Sequence, residues 1–127
     1  MAEDWLSLLP DEVRQFGEPI EPDLPFETLW PLSKAELLSN WFASNNYAVI
    51  GGDFYFKKNS DFVHSYEGWR CDLNKNEMWV NYSSRSVAEM LVKFSKVSIA
   101  LAKPDVWFTV VALAKPNAKQ LAIIYAR

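Results

Sequence analysis

Gly51-Gly52 stands between two runs of β-forming residues, Tyr47–Ile50 and Phe54–Lys58, and it constrains this chain more than any other feature. A Gly-Gly step admits positive φ or a close backbone approach, so the spacing predicts a turn or bulge at Gly51-Gly52-Asp53 flanked by two strands. Ten residues beyond Phe56 comes Tyr66-Glu-Gly-Trp-Arg-Cys-Asp72. A bend at the glycines would gather Asp53, Tyr55, Tyr66, Glu67, Trp69 and Asp72 into one polar, aromatic patch.

The rest of the chain reads as alternating helices and strands. Ser33-Lys-Ala-Glu36 has the form of a capping box, and Leu37, Leu38, Trp41 and Phe42 follow at helical spacing, so a helix runs from Ser33 to about Asn45-Asn46. Asn59-Ser60-Asp61 is a turn, and Phe62–Tyr66 with Trp69–Leu73 extends the sheet after a kink at Glu67-Gly68. Residues 74–84 fit either a strand at Met78–Tyr82 or a helical or irregular segment, with the second preferred. Ser86-Val-Ala-Glu89 is a second capping-box pattern. Val87, Met90, Leu91, Phe94 and Val97 then give an apolar stripe for a helix over 86–101, ended by Pro104. Val106–Leu113 and Leu121–Ala126 read as two strands of a C-terminal hairpin around the loop Lys115–Lys119. The fold class is therefore α+β, a mostly antiparallel sheet with two main helices packed on one face.

Five of the seven prolines fall between Pro10 and Pro31, which predicts an extended, partly polyproline II segment over 17–31 after one or two short helical turns. Residues 1–27 hold eight acids against Arg14 alone, a charge of −7, whereas the remainder, with twelve bases and eight acids, carries +4. The 127 residues thus form a single domain in which an acidic, Pro-rich arm (1–32) docks on an α+β body (33–127). Such an arm can fold onto the body or meet a basic partner.

Composition narrows the chemistry. Cys71 is the only cysteine, so an internal disulfide and a Cys-rich zinc site are excluded, and a reducing cytoplasm is the expected compartment. No apolar run reaches the roughly 18–20 residues that span a bilayer. His64, the only histidine, would have to serve as the base of any triad, yet a lone strand histidine is more often structural. Asp53, Glu67, Asp72 and Glu77 are the carboxylates available to a hydrolase or a magnesium enzyme. Lys57, Lys58, Arg70 and Lys75 beside Phe56, Trp69 and Trp79 make only a weak nucleic-acid surface, since acids interrupt them and the pI is near 5.1. An Arg70-activated Cys71 thiol is a further alternative to a buried one. No cofactor motif of the GxxxxGK[ST] or GxGxxG type is present.

Taken in order, Asn45–Tyr55, Tyr66–Asp72, Glu77 and Ser84-Arg-Ser86 resemble the bacterial polymorphic-toxin immunity family known as immunity protein family forty. The resemblance covers about residues 34–100. Gly51, Gly52, Asp53, Tyr55, Tyr66, Trp69, Cys71, Glu77, Arg85 and Ser86 match its pattern, and Glu67-Gly68 and Arg70 depart from it. It implies a non-enzymatic, cytoplasmic, monomeric inhibitor without cofactor or metal. Such a protein binds the C-terminal toxin domain of a contact-dependent inhibition effector, a nuclease in many such systems, and touches neither nucleic acid nor membrane. The partner-binding residues expected on this basis are Asp53, Tyr55, Tyr66, Glu67, Trp69, Asp72 and Glu77. Two other readings stand beside it: a carboxylate-based hydrolase or metal-dependent enzyme using Asp53, Glu67 and Asp72, and a general interaction module without a toxin partner.

Overall fold

The glycine pair lies inside one continuous strand and not at a turn. The computed structural model describes residues 4–21, 24–101 and 105–125. In chain order they form a 3-10 turn at Asp4–Leu8, then α1 (Asp11–Arg14), β1 (Glu18–Glu21) and β2 (Leu24–Pro31). After these come α2 (Ala35–Ser44), β3 (Ala48–Lys58), β4 (Asp61–Arg70) and α3 (Trp79–Leu101). The last elements are β5 (Val106–Phe108), β6 (Val111–Leu113) and α4 (Ala118–Tyr125). The strands form one antiparallel sheet in the order β1-β2-β5-β3-β4, with β6 also on β3.

β3 carries the glycines at its centre, and neither adopts positive φ. What they provide is close approach. A Cβ on Gly51 would collide with the carbonyl oxygen of Trp69, and one on Gly52 with that of Thr109. Gly51 meets β4, and for Gly52 the reason lies on the other side of the strand: β5 and β6 are two pieces of a single path running along β3, from Val106 opposite Phe56 to Leu113 opposite Ala48. Between the pieces Thr109 leans onto β3, donating its N–H to the Asp53 carbonyl (2.9 Å) while its Oγ1 accepts the Asp53 N–H (3.1 Å).

Alternation along the strands builds two faces. Trp30, Phe54 and Phe108 point to one side and meet Leu38 and Phe42 of α2 and Val87, Met90, Phe94 and Val97 of α3, with Trp5, Leu9 and Val13 completing this core. Leu29, Tyr55 and Trp107 form a smaller cluster with Ile20 and Phe62. The expected α+β class, with two main helices on one face of a mostly antiparallel sheet, is what the structure has.

Several local expectations change. Within the 17–31 segment the backbone is extended as expected, but Glu18–Glu21 and Leu24–Pro31 pair as antiparallel strands, tied into the sheet by β2 against β5, instead of forming a polyproline II run. Ser33 does not cap: a 3-10 turn at Leu32–Lys34 leads into α2, whose N-cap is Lys34 without a side-chain bond. The helix does stop at Asn45-Asn46. Asn46 takes φ 58°, and Tyr47 N–H reaches back to the Phe42 carbonyl, a Schellman closure. Residues 74–78 are irregular, and α3 begins at Trp79, seven residues before the second capping-box pattern, so Ser86 lies within the helix. Pro104 lies outside the described residues. The segment expected as a final strand is α4: Asn117 and Gln120 exchange side-chain-to-backbone bonds of 2.8 Å each, a reciprocal cap that outweighs the β-branched Ile123-Ile124 pair. Among the described residues there is accordingly no C-terminal hairpin of the expected kind.

Candidate functional site

The residues predicted to gather at one bend divide into a protruding ridge and a buried frame. The ridge arises from a register change. Asp53 faces Gly68 and Tyr55 faces His64, so the single residue Phe54 lies opposite Ser65, Tyr66 and Glu67. These extra residues bulge from β4, and the kink falls at Tyr66, which adopts φ 64°. For a tyrosine that left-handed backbone costs about 1–3 kcal/mol and needs support.

Two side chains supply it, each reaching the N–H two residues ahead. His64 Nδ1 accepts the Tyr66 N–H at 2.7 Å, and Ser65 Oγ accepts the Glu67 N–H at 3.1 Å while donating to the Phe54 carbonyl at 2.8 Å. With Nδ1 an acceptor, the proton of the neutral imidazole sits on Nε2, which faces Asp53 Oδ1 at 3.7 Å. Tyr55, His64 and Tyr66 form a ladder of rings with centroid separations of 4.8 and 5.4 Å. It rises from Tyr55, 8% exposed, to Tyr66, 92% exposed. Burial, with Glu27 and Asp53 nearby, pushes the Tyr55 phenol above its ordinary value. Asp53 and Glu67 are exposed at the ridge. Asp72 is exposed too, but Arg70 Nε donates to its carboxylate at 2.6 Å.

Trp69 and Glu77 belong to the frame. Trp69 lies against Phe54, Phe94 and Phe108 at centroid distances of 5.3, 4.9 and 6.5 Å. The Glu77 side chain, only 12% exposed, is gripped from both oxygens by Arg85 at 2.7 and 2.8 Å and also accepts the Asn74 N–H. Arg85 further donates to the Asp72 carbonyl, to Glu89 and to Cys71 Sγ. This hub fastens the 71–77 loop to α3. The arginine holds the Glu77 carboxyl below its ordinary range, and Glu77 in turn raises the guanidinium.

The Cys71 thiol is buried and donates to Glu89 at 2.7 Å. Burial first, and then that bond, push it up to about 12. The activated-thiol alternative therefore fails, because Arg70 is engaged with Asp72 and the nearby Arg85 is outweighed. Ser86 accepts the Val49 N–H at 2.9 Å, Ser83 donates to the Tyr47 carbonyl, and Trp79 Nε1 donates to the Asn46 carbonyl, so α3 is stitched to the entry of β3.

Of the basic residues near aromatics, Lys57 pairs with Glu18 at 3.1 Å and lies over the Trp107 ring. A shallow groove of about 360 Å³ beside α3 is lined by Trp69, Arg70, Arg85, Val92, Lys93 and Lys96 among others. Among the described residues no three His, Cys, Asp or Glu side chains converge to hold a metal ion, and no helix is long and apolar enough to cross a membrane. Sequence reasoning did not assign His64 a role at this patch. The available signal was a chain of short acceptors, His64-Ser65, directly preceding the residues whose N–H groups they cap.

No curated protein and no solved structure matches the chain. A family model does: Immunity protein 40 matches residues 23–112, taking in β2, the glycine pair, the ridge, the Arg85 hub and the β5–β6 path. That span exceeds the 34–100 range of the motif resemblance and covers more than half of the chain, which therefore belongs to the Immunity protein 40 family.

Proposed function

We propose that this chain is a toxin-neutralising immunity protein that acts by stoichiometric association, seating the β4 ridge against a cationic surface of its toxin. The observation that carries the reading is Tyr66: an aromatic side chain 92% exposed, on strained backbone, with the carboxylates of Asp53 and Glu67 at the same bulge. Exposed aromatics flanked by charge are what protein interfaces use as anchors. A specific interface needs about 800 Å² from each partner, so the contact extends beyond the ridge, along β4 through Val63, which is 48% exposed.

In this reading the toxin is a nuclease, and the net charge of −3 complements the basic groove of such an enzyme. Asp53 is the centre of the contact, Glu67 and Asp72 its flanks, and Tyr55, Trp69 and Glu77 support it from below. The protein works as a cytoplasmic monomer and a single domain, without turnover. The test is co-expression with the variable C-terminal domain of the large secreted protein encoded next to it: growth is restored, and the two chains co-purify at 1:1. Loss of both results refutes the proposal.

A further inference from the structure

β4 is the last strand of the sheet, and an edge strand can bind a partner either by adding a strand or by offering side chains. The bulge decides between them. Tyr66 N–H is taken by His64 and Glu67 N–H by Ser65, so the middle of this edge has spent the donors that an added strand would need. What it presents instead is a ring, fixed at the end of the Tyr55–His64–Tyr66 ladder.

Glycine or asparagine would adopt φ 64° more readily than tyrosine, and the Tyr66 side chain, 92% exposed, adds little to the core in compensation. Its preorganisation lowers the entropy lost on binding.

Building on the toxin-binding reading, we infer that Tyr66 is the anchor of the interface, that its partner is an arginine side chain of the toxin stacked on the ring and bound by Asp53 or Glu67, and that His64 is the positioning residue that holds the ring out. An arginine fits both demands at once, because its planar guanidinium lies flat on an aromatic face and donates in the same plane to a carboxylate.

The experiment measures affinity for the purified C-terminal toxin domain, with the melting temperature of each variant recorded alongside. Tyr66→Ala weakens binding about 30-fold. Tyr66→Phe, which keeps the π face, stays within about threefold of the parent, whereas Tyr66→Leu, which keeps only apolar bulk, behaves like alanine. His64→Ala weakens binding about tenfold, and His64→Asn restores it, because an asparagine Oδ1 also accepts the N–H two residues ahead. Tyr66→Ala binding like the parent overturns the anchor. Leucine as good as phenylalanine overturns the arginine, and asparagine no better than alanine at residue 64 overturns the positioning role. Each of these leaves toxin neutralisation itself intact, whereas a parent chain that fails to bind the toxin removes both.

Discussion

Arg85→Ala is the perturbation whose cost can be worked most directly from the structure. Arg85 makes two bonds to Glu77, one to Glu89, one to the Asp72 carbonyl and one to Cys71 Sγ. Truncation leaves the Glu77 carboxylate without its counter-ion in a site where only 12% of it is exposed, while Arg85 itself is 29% exposed. A fully buried pair broken from one side costs about 3–5 kcal/mol, and an exposed pair about 0–1. The observed burial places this one between, at about 2–3 kcal/mol. For a domain of this size that is a melting-temperature drop of roughly 6–12 °C.

The loss should also depend on pH in a defined direction. Glu77 has its folded pKa lowered, chiefly by the Arg85 bond, so its contribution is present above the unfolded carboxyl value and disappears as pH falls through the folded one. Urea unfolding of the parent and of Arg85→Ala should therefore differ most near pH 7 and converge as pH drops below about 4. A double-mutant cycle with Glu77→Gln isolates the pair and should give a coupling above about 1 kcal/mol. A total loss under about 0.5 kcal/mol, or a difference unchanged down to pH 3, refutes the assignment of Arg85 as the clamp on the 71–77 loop.

Gly52→Ala places a methyl group on the Thr109 carbonyl oxygen, a backbone atom that no rotamer change can move, and should cost at least about 1–3 kcal/mol in thermal unfolding. A neutral result would show that β3 and the β5–β6 path separate easily. Burial raises the Cys71 thiol and the Tyr82 phenol each to about 12, from ordinary values of 9.0 and 10.0. Stability is full below about pH 9 and falls as pH rises toward 12, because the unfolded chain ionises first; Tyr82→Phe should flatten the slope measured by urea unfolding between pH 9 and 11.

The two main helices were legible because their apolar periodicity reports burial directly, and Leu38, Phe42, Met90 and Phe94 are all in the core. The glycine pair was legible as a constraint but not in kind. Glycine permits both positive φ and close approach, and only the neighbouring backbones, Trp69 against Gly51 and Thr109 against Gly52, decide between them. Ser33 and Ser86 carry the same capping pattern and cap neither helix, since Ser86 is needed by the Val49 N–H, a partner 37 residues away. The C-terminal helix was hidden for the opposite reason: Asn117 and Gln120 form a local cap, but the Ile123-Ile124-Tyr125 run after it suggests a strand. At the ridge the aromatic and acidic residues were visible from composition, whereas the bulge that lifts Tyr66 above Trp69 depends on pairing register, which local pattern does not specify.

The residues that match the family pattern, together with Glu67, which departs from it, serve two separable purposes, and this can be measured. Gly51, Gly52, Trp69, Cys71, Glu77, Arg85 and Ser86 are held in backbone contacts, ring packing or the hub, so substituting them acts on folding first. Asp53 and Glu67 lie on the exposed side of the same strands, and the Asp53 carboxylate stands 3.7 Å from His64 Nε2, too far for a strong bond. Reversing both to lysine should therefore weaken toxin binding about tenfold or more at low salt, with the loss shrinking as ionic strength screens the contact, while the melting temperature stays within about 2 °C of the parent. A drop as large as that of Arg85→Ala would mean that the ridge is part of the frame. The exposed acids would then have to be replaced, as the toxin-facing surface, by the acidic first 27 residues, where the same charge reversal at Asp11 and Glu12 is the next measurement.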